Sequence, residues 1–157
     1  MTNNFIFAKS HVPNSIFIGL DGNFAPWVGE LIVDVLQPIL MVVPRGREEE
    51  AVTRLARVGF DRTFGVLEGG IVAWQTSGRE TESVLSIAAK QFASEFRVNQ
   101  NRVFDVRKLG EFQAEHVDGA QHAPLGNLND SLSNFPSDEP FYVHCAAGYR
   151  SMIASSI

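Results

Sequence analysis

The only cysteine of the chain, Cys145, ends an apolar stretch, and Arg150 follows it after a short loop that contains a glycine. Backbone amides in such a loop, at the start of a helix, stabilise negative charge and lower the pKa of a thiol below its free value of about 8.5. We therefore predict that Cys145 is a nucleophile and that Arg150 is a fixed cation beside it. The predicted substrate-binding loop consists of Ala146, Ala147, Gly148, Tyr149 and Ser151.

The composition excludes several classes of function. The chain has 157 residues and a formal net charge of −5, so no basic stripe is available to follow a nucleic acid or an anionic membrane surface. No apolar run approaches the roughly 20 residues of a membrane span, and the N-terminus lacks the pattern of a signal peptide. A single cysteine suits a reducing compartment. We predict a globular cytoplasmic protein that binds neither nucleic acid nor membrane.

The two halves of the chain resemble each other. Residues 7–12 match residues 112–117 at an offset of 105 (from Phe7 to Phe112), and residues 38–43 match residues 140–145 at an offset of 102 (from Pro38 to Pro140). Such self-similarity indicates tandem modules. His116 is a candidate general base, but it has a counterpart in His11, in the half that has no cysteine. We therefore interpret His116 as structural.

Neither copy of the repeat is complete. Two full copies of about 105 residues need about 210. We predict a first module at residues 1–80 that lacks its opening strand and is catalytically silent. The second module, at residues 81–157, lacks its C-terminal part. A piece of a longer polypeptide is the favoured explanation, and the alternative is two partial modules that complete each other, as in a domain-swapped dimer.

Short apolar runs bounded by glycine, proline or polar residues predict buried strands, at residues 16–18, 39–43, 103–106 and 141–144. Helices are predicted at residues 48–58, ended by Gly59, and at residues 87–96, capped by Ser86. The polar residues 76–83 predict a linker. Strands that alternate with helices predict an α/β fold in which helices cover both faces of a mostly parallel sheet.

The motifs of the second half resemble those of the rhodanese-like sulfurtransferases. In this chain they are Val103-Phe104-Asp105-Val106-Arg107, Glu111-Phe112, His116-Val117-Asp118-Gly119-Ala120 and the loop from Cys145 to Arg150. The first half has His11-Val12-Pro13-Asn14-Ser15 and the closing motif Glu68-Gly69-Gly70 with Trp74. The resemblance implies a rhodanese-like three-layer fold and a supporting role for Asp105 and Arg107 beneath the loop.

The tandem arrangement is similar to the rhodanese region that follows a metallo-β-lactamase-fold domain in bacterial persulfide-handling proteins. The resemblance therefore implies such a domain as a partner within a longer polypeptide. His122 and His144 have no partners at metal-ligand spacing in this chain, and we predict neither a metal nor a cofactor.

The resemblance implies sulfur transfer by double displacement. The Cys145 thiolate attacks the outer sulfur of a donor, forms a persulfide, and passes that sulfur to a thiol or to cyanide. Thiosulfate and a glutathione-type persulfide are the candidate donors. The loop offers only one cation for the thiosulfate dianion, which favours the persulfide.

Two other functions compete with this interpretation. Thiol phosphatases and arsenate reductases use a similar cradle, but those that resemble this fold have one residue more between cysteine and arginine. A terminal sulfur suits the shorter ring. A non-catalytic regulatory or docking module is the second alternative. The corresponding loop of the first copy, Val43-Pro44-Arg45-Gly46-Arg47, contains no nucleophile.

Overall fold

The computed structural model describes residues 3–99 and 102–157, which divide into two compact units after Ser83. Each unit contains its own small parallel sheet and its own helices, so the predicted α/β class is confirmed. The sheet is not one continuous layer, because the strands form one pair in the first unit and a separate trio in the second. No helix in the described part of the chain is long and apolar enough to cross a membrane.

The first unit places a two-stranded parallel sheet against helices. Its elements are α1 (Asn3–Lys9), α2 (Phe24–Leu31), β1 (Ile39–Met41), α3 (Glu48–Ala56), β2 (Thr63–Val66) and α4 (Gly70–Thr76). Three glutamates begin α3, where negative charge is favourable, and Gly59 follows its end with a φ of 90°. Ala51 and Leu55, one turn apart on α3, are buried in the core of this unit with Met41 of β1.

The second unit is built around a central strand. Its elements are α5 (Ala89–Asn99), β3 (Val103–Asp105), α6 (Leu109–Ala114), β4 (Gln121–His122), α7 (Leu128–Ser131), β5 (Tyr142–His144) and α8 (Tyr149–Ala154), with 3-10 turns at Leu125–Asn127 and Leu132–Asn134. Strand β3 pairs in parallel with β4 on one side and β5 on the other, and all three of its residues are buried. Parallel strands end at the same edge, so Asp105 and Cys145 lie close together.

The internal repeat is visible in individual contacts. His11 Nδ1 and His116 Nδ1 each lie 2.8 Å from a carbonyl oxygen one helical turn earlier, that of Phe7 and that of Phe112. Each imidazole also stacks on the ring of the same phenylalanine, with centroids 3.9 and 4.0 Å apart. The same arrangement therefore occurs in the unit that has no cysteine, which supports a structural role for His116.

The predicted strand at residues 16–18 is wrong. Residues 121–122, which correspond to residues 16–17 in the repeat, form β4 only because they pair with β3. The described part of the first unit contains no counterpart of β3. The apolar run instead packs by its side chains, with Phe17 buried and its ring 5.2 Å from that of Phe7.

Several predicted boundaries also need correction. Ser86 does not cap α5, because its first helical bond runs from the Phe92 amide to the Ala88 carbonyl at 2.9 Å. Residues 76–83 are not a free linker, because His11 and Glu82 exchange two backbone hydrogen bonds of 3.0 Å. The predicted strands and the helix at 48–58 extend one or two residues beyond the observed ends.

Candidate active site

Cys145 directly follows β5, and the loop it begins leads into α8. Gly148 makes the turn between them with a φ of 83°, a left-handed conformation that disfavours residues with a Cβ atom. This turn directs the first amides of α8 back toward the end of β5. The loop thus forms a shallow bowl of N–H groups around the sulfur.

Three backbone amides and one hydroxyl group surround the Cys145 sulfur. The amide of Gly148 donates to Sγ at 3.2 Å and that of Ser151 at 3.4 Å, and the Ala147 amide is a further donor. The Cys145 thiol donates to Ser151 Oγ at 3.5 Å, and once the thiol is ionised the hydroxyl donates to Sγ instead. Because an ionised thiol only accepts hydrogen bonds, this set of donors is matched to the thiolate rather than to the thiol.

The environment lowers the pKa of the Cys145 thiol. Burial acts in the opposite direction, because it disfavours the charged form. The hydrogen bonds from the Ser151 side chain and from the amides of Ser151, Ala147 and Gly148 outweigh burial, so the pKa lies below its ordinary value. Cys145 is partly exposed. A partly exposed cysteine with a lowered pKa has the character of a nucleophile.

Arg150 is held by a carboxylate that the sequence interpretation did not assign to it. Its Nη1 donates to Glu111 Oε2 at 2.6 Å, and its Nη2 donates to Oε1 at 2.8 Å. The same carboxylate accepts a 3.1 Å bond from the Lys108 amide at the start of α6. The hydrogen bonds from Arg150, and after them the one from Lys108, lower the pKa of Glu111 to about 2. Arg150 is therefore a cation whose charge is already paired.

Asp105 and Arg107 form a second ion pair beneath the loop. Asp105 is fully buried, and its carboxylate accepts bonds of 2.6–3.0 Å from the Arg107 side chain and amide. Burial raises the pKa of Asp105, but the bonds from Arg107 outweigh it and the net shift is downward. Arg107 also donates to the Glu115 carbonyl at 2.6 Å, at the end of α6. The pair thus ties β3 to the helix that presents Glu111.

His144 lies between this ion pair and the cysteine. Its Nε2 atom is buried 3.5 Å from Asp105 Oδ2 and has no hydrogen-bond partner among the described residues. Its ring also interacts with the backbone of Cys145. Burial lowers the pKa of His144, although the nearby Asp105 charge acts in the other direction. The imidazole is therefore neutral near pH 7.

The predicted site residues lie together at one edge of the second unit. The Cys145 sulfur is hydrogen-bonded to Ala147, Gly148 and Ser151. Ala146 is exposed, and Tyr149 is the first residue of α8. Arg150 faces Glu111 across 39 residues of sequence, a relationship that no local spacing could indicate. The sequence pointed to Glu111 only through the motif Glu111-Phe112, which resembles the rhodanese-like family. In the described ranges, no three His, Cys, Asp or Glu side chains are grouped to hold a metal ion.

The matching loop of the first unit lacks this chemistry. Gly46, with a φ of 85°, corresponds to Gly148, and this register puts Val43 at the place of Cys145 and Glu48 at that of Arg150. Arg47 is bonded to Glu50 at 2.8 and 3.0 Å and to Asp21 at 2.7 Å. This loop has no nucleophile, and a glutamate stands where the second unit has its arginine.

Comparison with known proteins identifies a family. The sequence profile of the rhodanese-like domain matches residues 2–77 and 88–157. The protein named "Putative sulfur carrier protein YrkF" from Bacillus subtilis (strain 168) is 25% identical over 80 residues, which cover 50% of this chain and 43% of that protein. The uncharacterized protein YqhL of the same organism is 30% identical over 66 residues, 42% of this chain and 51% of that protein. The chain spans about half the length of these relatives.

Comparison with solved structures also finds a similar chain. Thiosulfate sulfurtransferase from Pseudomonas aeruginosa aligns with a TM-score of 0.42 and 19% sequence identity. The alignment covers 99% of this chain and 33% of the other.

Proposed function

This chain belongs to the rhodanese-like family and has its α/β fold, and from that premise we propose that it is a sulfurtransferase acting through a persulfide on Cys145. The convergence of three backbone amides and one hydroxyl group on Cys145 Sγ carries the proposal. These donors stabilise a thiolate before the reaction and an anionic outer sulfur after it. The lowered pKa of the thiol raises the fraction of Cys145 that is present as the nucleophilic thiolate.

The reaction proceeds in two displacements. In the first, the Cys145 thiolate attacks the outer sulfur of the donor, a new S–S bond forms, and the bond that held this sulfur in the donor breaks. The donor leaves with the electron pair of that bond, as a thiolate or as sulfite. In the second, an acceptor thiol or cyanide attacks the outer sulfur of the persulfide, and the Cys145 thiolate is regenerated. No external oxidant or reductant is needed.

The ion pairs hold the loop in place for both steps. Arg150 extends from α8 to Glu111 on α6, and Arg107 connects the buried Asp105 to the end of α6. Both arginines therefore act as positioning groups in this proposal. In this proposal the first unit takes no part in catalysis, because it has Val43 at the position of the nucleophile. The metallo-β-lactamase-fold partner and the domain-swapped dimer stay predictions.

Thiocyanate release tests the proposal. The full chain is incubated with cyanide and either thiosulfate or glutathione persulfide, beside the Cys145→Ser variant, and thiocyanate is measured over time. We expect release with at least one donor by the native chain and background release by the variant, because an alkoxide is not formed near neutral pH. Equal release by both proteins, or none above background by a folded native chain, would contradict the proposal and leave a non-catalytic module as the better account.

A further inference from the structure

The charge of Arg150 is fully engaged before any donor arrives. Two parallel hydrogen bonds of 2.6 and 2.8 Å join its guanidinium to Glu111, in the fork geometry that arginine prefers with carboxylates. The carboxylate is also fixed from its other side, by the Lys108 amide at 3.1 Å. The pKa of Glu111, about 2, keeps this carboxylate ionised throughout the physiological range.

The remaining charges near the sulfur are paired in the same way. Arg107 is bonded to Asp105, and burial keeps the imidazole of His144 neutral near pH 7. Among the described groups that interact with Cys145 or Arg150, the two cations, Arg150 and Arg107, are therefore matched by the carboxylates of Glu111 and Asp105. The thiolate itself then makes the site negative rather than positive.

A donor with two negative charges enters such a site at a disadvantage. Thiosulfate attacked by the Cys145 thiolate would bring three negative charges together, and sulfite would leave as a dianion. A hydropersulfide, R–S–S–H, brings no charge of its own to the reacting sulfurs, so that only the thiolate charge is present there. The thiolate attacks the outer sulfur, R–S⁻ departs with the charge, and R–S⁻ then takes up the proton of the outer sulfur, which leaves R–S–H and an anionic persulfide on Cys145.

We propose that Glu111 is a specificity-determining residue, which neutralises Arg150 and thereby selects hydropersulfide donors over thiosulfate. The inference rests on the proposed sulfur transfer and deepens it by naming the donor class and the residue that sets it. The carboxylate acts through Arg150 and does not touch the reacting sulfur. Removal of its charge frees the guanidinium to attract an anionic donor.

The Glu111→Gln variant removes the charge of the Glu111 side chain and nearly preserves its shape. Glutamine keeps an oxygen that can accept the bond from the Lys108 amide, while the charge is lost. Glu111→Asp keeps the charge. Glu139→Gln is the matched control, because Glu139 is also paired with an arginine, Arg102 at 3.2 Å, but both side chains are about half exposed. Each full-length variant is assayed for kcat/KM with thiosulfate and with glutathione persulfide at low and high salt.

The native chain is expected to prefer glutathione persulfide. In Glu111→Gln, kcat/KM for thiosulfate should rise about tenfold, mainly through KM, and this gain should shrink at high salt because of screening. The value for the persulfide should fall, because a neutral amide holds Arg150 and its loop less firmly, so the ratio of the two kcat/KM values is the quantity that tests the inference. Glu111→Asp and Glu139→Gln should keep the native preference.

Three results would overturn the inference. A native chain that prefers thiosulfate contradicts it without any variant, so a variant that fails to fold does not remove the test. Equal losses with both donors in Glu111→Gln would assign Glu111 a purely structural role. An unchanged ratio of the two kcat/KM values would exclude charge selection by Glu111. A native chain that transfers sulfur from neither donor is a different outcome, because it contradicts the proposed function itself.

Discussion

Gly46 and Gly148 adopt the same left-handed backbone conformation, with φ angles of 85° and 83°, in the corresponding loops of the two units. Each lies between a strand of the parallel sheet and the helix that follows it. The backbone turn is therefore a shared structural requirement of both loops. Only the second loop combines this turn with a cysteine, three residues earlier.

Replacement of Gly46 and of Gly148 by alanine distinguishes an effect on stability from an effect on sulfur transfer. A Cβ atom in the left-handed region costs about 1–2 kcal/mol, so Gly148→Ala and Gly46→Ala should lower the free energy of unfolding by similar amounts. Urea denaturation measures this effect. Only Gly148→Ala moves an amide that donates to Cys145, so only this variant should also lose sulfur transfer, by about tenfold or more. Full activity in Gly148→Ala would show that the cradle does not depend on this turn.

Ser151→Ala tests the hydroxyl group next to the sulfur. The Ser151 side chain favours the thiolate, and a hydrogen bond to a charged group contributes about 1.5–3 kcal/mol, which corresponds to about one to two pKa units. The pH dependence of Cys145 alkylation by iodoacetamide gives the pKa. We expect a native midpoint below about 8.5, and a midpoint at least one unit higher in Ser151→Ala. The exposed Ser155, one turn later on the chain, provides the control variant Ser155→Ala. Identical midpoints in all three proteins would show that the Ser151 hydroxyl does not lower the pKa of Cys145.

Asp105→Asn tests the buried ion pair. Asp105 is fully buried, and the loss of its charge leaves Arg107 without its main partner, which costs about 3 kcal/mol for a buried pair. Chemical denaturation at pH 7 measures this loss. The control is Asp138→Asn, at an exposed carboxylate, which should change stability by less than about 0.5 kcal/mol.

The stability difference between the native chain and Asp105→Asn should also depend on pH. The pKa of Asp105 is lowered by folding, so its contribution to stability is complete above the unfolded pKa of about 3.9 and is lost as the pH falls through the folded pKa. The difference in stability between the native chain and Asp105→Asn should therefore be constant from about pH 7 to 5 and should narrow below about pH 4. A difference that stays constant down to pH 2 would show that the charge of Asp105 does not stabilise the fold.

The sequence was sufficient for much of the fold, whereas the nucleophilic role of Cys145 stays a prediction. The buried strand β3 and the partly buried strand β5 were predicted to within one or two residues, because apolar runs bounded by proline or polar residues are typical of strands in an α/β domain. Residues 16–18 have the same apolar character but form no strand. A strand exists only where a neighbour accepts its hydrogen bonds, and a one-dimensional pattern cannot show that the neighbour is missing.

The partner of Arg150 could not be predicted for a related reason. Glu111 lies 39 residues away in sequence, and the two meet only because α6 and α8 converge above the ends of β3 and β5. The sequence indicated a cation beside the cysteine, and it gave no sign that a carboxylate neutralises that cation. Long-range charge pairing depends on the packing of helices, which residue spacing does not specify.

The central claim is that Cys145 carries a persulfide during turnover. Its most direct test is the intact mass of the full chain after incubation with glutathione persulfide and removal of the excess donor, beside Cys145→Ser. We predict that the native chain gains the mass of one sulfur, that peptide mapping locates it on Cys145, and that cyanide removes it as thiocyanate. An unchanged mass in the folded native chain, or the same gain in Cys145→Ser, would contradict the account.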